Sequence, residues 1–124
     1  MQIISTEKAP NAIGPYSQGY IVNGFVYTSG QIAIDPATGN IPDGIAAQAE
    51  RSCANVGAIL EAAGSGMDKV IKTTVFLKDM NDFAAMNGVY QTFFQAGNYP
   101  ARSAVQVARL PKDALVEIEA VAEV

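Results

Sequence analysis

Residues 44 to 63 set the strongest constraint on how this chain can fold, because Ala49, Cys53, Val56, Leu60 and Ala63 recur there every three or four positions. That period predicts an amphipathic helix, and Gly64 directly behind it is a natural C-terminal cap. Gln48, Glu50, Arg51 and Glu61 lie off the stripe and are expected on the solvated surface. Cys53 lies on it, where a buried, inert thiol is expected. In residues 82 to 94, Phe83, Met86, Tyr90 and Phe93 repeat at the same spacing, with Asn81 or Asp82 able to cap the start. An aromatic stripe of this kind reads as core rather than as a cofactor box.

The other apolar runs have strand character. FVYTSGQIAI (25 to 34) and VIKTTVFLK (70 to 78) are rich in aromatic and β-branched residues, and two further strands are expected at about 101 to 108 and 115 to 122. Pro111 suits the loop between the last two. The segment IISTEKAPNAIGPYSQG, punctuated by Pro10, Gly14, Pro15 and Gly19, reads as an irregular loop, and DPATGN as a turn. The expected order is strand, strand, helix, strand, helix, strand, strand. Two helices cannot cover both faces of such a sheet, so an α+β layer with the helices on one face is favoured. The open face calls for an apolar partner, most economically another copy of the chain.

Composition narrows the function. At 124 residues with 49% hydrophobic content, the chain is expected to form one domain, residues 1 to 124. Eight basic residues against twelve acidic ones give a net charge of −4, and the basic ones are scattered, so no nucleic-acid footprint is expected. No signal-like segment and no run of about 18 apolar residues is present, which makes a cytoplasmic protein without a membrane partner the expectation. One cysteine and no histidine rule out an internal disulfide and an ordinary zinc site. Chemistry is left to Arg, Glu, Asp, Tyr, Ser, Thr, backbone groups and water.

The closing stretch PARSAVQVARLPKDALVEIEAVA sets charges inside apolar strands. By alternation, Arg102, Ala104 and Gln106 share one face of their strand, while Leu115, Glu117 and Glu119 share one face of the next. An antiparallel hairpin in matching register would point the arginine and the glutamates the same way, although register is not readable from sequence. On residue types alone the pair is either a rim ion pair, worth little if exposed, or an arginine fork for a ligand carboxylate beside a glutamate that holds water.

Four segments in order, AIGPYSQG, YTSGQIAIDPATG, VIKTTVFLKDMNDFAAMN and PARSAVQVARLPKDALVEIEAVA, resemble the Rid family of reactive imine deaminases, historically grouped with translation inhibitors and L-PSP endoribonucleases. The resemblance spans nearly the whole chain and is strongest to the branch that hydrolyses 2-iminobutanoate and 2-iminopropanoate. It implies a chorismate-mutase-like α+β domain, with a mixed sheet and two helices on one face, assembled as a homotrimer with clefts between subunits. It further implies a small 2-imino acid as substrate and no metal or organic cofactor. Carried onto this chain, the carboxylate-binding arginine is Arg102, the water-positioning glutamate is Glu117, and Tyr16 and the Gly30 backbone contact or close over the substrate. Asn87 matches an asparagine near the cleft, and Glu119 a structural or rim position. Many members have cysteine where this chain has Ala104, whose backbone is still expected to cradle substrate. Two other readings stay open: a non-catalytic sensor of 2-oxo acids, and the ribonuclease that the older names imply.

Overall fold

A computed structural model describes residues 2–124. Six strands form one sheet in the order β1-β2-β3-β6-β4-β5. These are β1 (Gln2–Ile4), β2 (Gly19–Val22), β3 (Phe25–Thr28), β4 (Val70–Leu77), β5 (Ala101–Gln106) and β6 (Val116–Glu123). The sheet is mixed, since β4 and β5 run parallel while every other neighbouring pair is antiparallel. Helices α1 (Ile45–Ala62) and α2 (Phe83–Tyr90) pack on one face, in line with the α+β expectation.

Helix α1 buries the expected stripe, with Ala49, Cys53, Val56, Leu60 and Ala63 all inside the main core beside Ile59. Its end is a Schellman turn: Gly64 at φ +81° donates to the Glu61 carbonyl, and Ser65 N–H reaches back to Leu60. Gln48 corrects the surface expectation for the other face. It is buried, with its oxygen accepting from Leu115 N–H (2.9 Å) and its Nε2 donating to the Pro42 carbonyl (3.0 Å). The opening of the second helix also differs from expectation. The cap is Asp79, whose side chain accepts from Asn81 N–H at the head of a short 3₁₀ turn, while Asp82 makes no capping bond.

Strand β3 ends at Thr28, well short of the expected 34. Beyond it the backbone is claimed by other partners. Asn55 of α1 donates to the carbonyls of Ile32 and Ile34, and only Gln31 keeps a bridge to Ile118 of β6. Two strands are expected before α1 and three form. Ile3 and Ile4, at the head of the segment expected to be an irregular loop, belong to β1 because they pair with Tyr20 and Gly19 of β2. Strand β2 in turn joins β3 through the Asn23–Gly24 turn. Both residues have positive φ (52° and 80°), as a two-residue turn matched to sheet twist requires.

Register decides which side chains look which way. Thr73, Val75 and Leu77 of β4, with Val116, Ile118, Ala120 and Ala122 of β6, point to the helices and are buried. On the opposite face, Ile3, Tyr20, Tyr27 and Val121 align across four neighbouring strands. Ile3 and Tyr27 remain 62% and 45% exposed there. A smaller cluster of Ile32, Leu110 and Ala114 packs around Phe76 and covers the other end of that face.

Candidate active site

The hairpin considered for the last two strands is not formed. β5 lies at the sheet edge beside β4, and β6 sits on β4's other side. The reason is topological: β5 joins β4 in parallel through the α2 crossover, which leaves the antiparallel place beside β4 to β6. Arg102 stands level with Thr73 and Ala120, whereas Glu117 stands level with Phe76 and Val105. They are therefore two strands apart and offset by three residues, about 14 Å between backbones at ordinary strand spacings. An odd offset also sends them to opposite faces. A four-carbon acid, under about 5 Å long from ordinary bond lengths, cannot touch both within one chain.

Arg102 turns toward α2. Its Nη1 donates to Asn87 Oδ1 at 2.5 Å, and its guanidinium carbon lies 4.8 Å from the Tyr90 ring centre and 5.4 Å from that of Phe83. Phe83, Asn87 and Tyr90 fall at i, i+4 and i+7, so one face of α2 presents all three. The Tyr90 hydroxyl is in turn bonded to Thr73 Oγ1 (2.7 Å) on β4, the strand next to β5. Burial is the main influence on this phenol and raises its pKa, so it stays neutral. The arginine is thus held by a neutral amide and two rings. The ion pair among the described residues lies elsewhere, between Lys78 and Asp113. Asn87, Tyr90 and Arg102 line one groove with Tyr99 and Pro100. Phe83, Tyr90 and Thr73 escaped the sequence reading as partners of Arg102, although the helical spacing of Phe83, Asn87 and Tyr90 held the signal. Ala104 is half-buried two residues along β5 on the same side, packed against the core.

Glu117 belongs to a second groove, with Tyr16, Gly30, Gln31 and Ile32. Its carboxyl pKa is raised, first by burial and then by the charge of Glu119. Gly30 gives this carboxylate room: a Cβ there would lie 2.8 Å from its carboxyl carbon and 2.9 Å from Oε2. Tyr16, on the loop before β2, is half-exposed. The chain thus brings Tyr16, Gly30 and Glu117 together and sets Arg102 with Asn87 apart from them. Cys53 lines neither groove, and burial pushes its thiol up to about 12. Among the described residues no group of His, Cys, Asp or Glu is arranged to hold a metal ion, and no helix is long and apolar enough to cross a membrane.

Comparison with known proteins identifies the relatives of this chain. The chain is 55% identical over 121 residues to the 2-iminobutanoate/2-iminopropanoate deaminase of Escherichia coli K12, covering 96% of this chain and 94% of that one. The rat protein of the same name is 52% identical over 122 residues, covering 98% and 88%. Among solved structures, E. coli TdcF with bound serine superposes with a TM-score of 0.95 at 50% identity, over 100% of this chain and 99% of that one. The E. coli YjgF gene product gives 0.95 at 54% identity, over 99% and 98%. The profile described as Endoribonuclease L-PSP matches residues 6–124. With a profile match over almost its full length and relatives above half identity, this chain belongs to the Endoribonuclease L-PSP, or Rid, family.

Proposed function

We propose that the protein is an enzyme that hydrolyses 2-imino acids such as 2-iminobutanoate and 2-iminopropanoate to 2-oxo acids and ammonia. It does so as a homotrimer with three clefts between neighbouring subunits. Each cleft takes Arg102 and Asn87 from one protomer and Tyr16, Gly30 and Glu117 from the next. The observation that carries this reading is a guanidinium held by neutral groups alone, with no carboxylate on it. A buried or half-buried arginine without a counter-ion is costly unless a ligand supplies one. The names of the close relatives and the serine bound to TdcF favour a small amino- or imino-acid-derived carboxylate as that ligand. The separation of Arg102 from Glu117 in one chain, and the uncovered row Ile3, Tyr20, Tyr27 and Val121, favour a site completed by a second copy.

The chemistry follows from the residues. Arg102 forks the substrate carboxylate through parallel charge-assisted hydrogen bonds and fixes the imine carbon in place. Glu117, in its carboxylate form, accepts a proton from one water as that water adds to the C=N carbon. The new C–O bond converts the imine to an amino alcohol. The C=N π electrons move to nitrogen, which takes up the proton held by Glu117 to complete that amino alcohol; the hydroxyl proton then passes by way of Glu117 to nitrogen as the C–N bond breaks, releasing the 2-oxo acid and ammonia. Tyr16 and backbone N–H groups steady the changing charge, and Ala104 offers only backbone to the substrate. An already electrophilic imine asks for no stronger nucleophile than oriented water.

The test is ammonia release from freshly generated 2-iminobutanoate by wild type and Arg102→Ala. Wild type should accelerate it strongly, and the variant should lose about 1.5 to 3 kcal/mol of transition-state binding, or roughly tenfold to a hundredfold in kcat/KM. A protein that binds 2-oxo acids and leaves the rate at the uncatalysed value would be a sensor instead. Undiminished hydrolysis by Arg102→Ala would refute the role of the arginine.

A further inference from the structure

We infer that Gln18 is a positioning residue for this hydrolysis, placing Tyr16 by tying together the two ends of the loop that carries it; the inference rests on the imine-hydrolase reading above. Gln18 immediately precedes β2 and is 3% exposed. Its carboxamide is engaged entirely by the far end of the loop. Oε1 accepts from Thr6 N–H at 2.6 Å, and Nε2 donates toward the carbonyls of Pro10 (2.7 Å), Thr6 (3.0 Å) and Ala9 (3.3 Å). The near end is pinned separately. Ser29 donates its N–H to the Gln18 carbonyl (2.8 Å) and its hydroxyl to the Ser17 carbonyl (2.5 Å).

Between those anchors, residues 11 to 16 are all exposed. The hydrogen bond recorded within them runs from Tyr16 N–H to the Gly14 carbonyl (2.8 Å). Ile13 is 81% exposed, so no core contact steadies the span. The ends of such a loop lie close together and its tip follows from its base. Tyr16, two residues from Gln18, therefore stands where the clamp sets it, across the groove from Glu117. The geometry suits glutamine specifically. Glutamate has no N–H for the three carbonyls, asparagine is one methylene shorter, and methionine fills the volume while leaving these buried and part-buried backbone groups without their partner.

Four proteins test this through kcat/KM for ammonia release from 2-iminobutanoate: wild type, Tyr16→Phe, Gln18→Met and the double variant. Gln18→Met should lose on the order of tenfold to a hundredfold, the cost of a misplaced catalytic group. Tyr16→Phe should cost clearly less in the Gln18→Met background than in wild type, because a tyrosine already out of place has little left to lose. A purely structural role would leave the fold-change for Tyr16→Phe the same in both backgrounds, and that result, or no effect of either change, overturns the inference. Should Gln18→Met fail to fold, Gln18→Glu carries the same cycle, since it retains the acceptor for Thr6 N–H. An inert wild type would bring down the enzymatic reading as well, whereas an active wild type with additive changes would bring down only the part played by Gln18.

Discussion

Replacing Gly30 by alanine adds one methyl group at the place where the backbone meets Glu117. Gly30 has an ordinary backbone conformation for an L-residue, so the change carries no φ penalty. The new Cβ would sit 2.8 Å from the Glu117 carboxyl carbon, 2.9 Å from Oε2 and 3.0 Å from Cγ. Ordinary carbon contacts begin near 3.5 Å, so the carboxylate has to retreat by roughly 0.5 to 1 Å. The atoms that must move are the free end of a flexible side chain, and a distorted rotamer costs about 0.5 to 1.5 kcal/mol. Folding should therefore be weakened by no more than that, read as a small shift in Tm. Catalysis should suffer far more, because displacing a group that aims water by about 1 Å costs on the order of a hundredfold. Ammonia release from 2-iminobutanoate should show the loss mainly in kcat, with 2-oxo acid binding at Arg102 little changed. Wild-type turnover in a well-folded Gly30→Ala protein would refute the claim that the carboxylate's position governs the reaction.

Arg102→Lys should recover little of the activity lost in Arg102→Ala, since an ammonium cannot fork a carboxylate or lie flat against Tyr90 and Phe83; titration with pyruvate and the kinetics of both variants would show it. The raised pKa of Glu117 puts the acid limb of the kcat/KM profile above the usual carboxylate range, with activity falling as pH drops through it; Glu119→Gln should move that limb to lower pH, and an unmoved limb would sever the coupling. The same shift acts on folding with a fixed sign. A raised folded-state pKa costs stability as pH rises from the unfolded value to the folded one, so Glu117→Gln should flatten denaturation midpoints across that window. Tyr27→Glu places a charge on the open sheet face and should shift a trimer toward monomer in sedimentation equilibrium while removing activity; a fully active trimer would show that this face is not the contact.

Local pattern determined much of this molecule. The stripe from Ala49 to Ala63 became α1, and residues 70 to 78 became β4 with one residue to spare. Alternation along 101 to 106 and 116 to 123 correctly paired Arg102 with Ala104 and Glu117 with Glu119, because strand period is a property of the chain itself. The four family-like segments also pointed to imine chemistry, as the relatives' names do. Other features depended on partners distant in sequence. Gln48 is inside because Leu115 N–H and the Pro42 carbonyl need it, and β3 stops at Thr28, whose hydroxyl takes the Ala120 N–H of β6, with Asn55 holding the carbonyls of Ile32 and Ile34 beyond it. The largest correction is the place of β6 between β3 and β4. Strand order is set by the crossover and by how the sheet closes over its core, and neither leaves a mark within a single strand. Tertiary structure alone therefore put Arg102 and Glu117 on opposite faces and in two separate grooves.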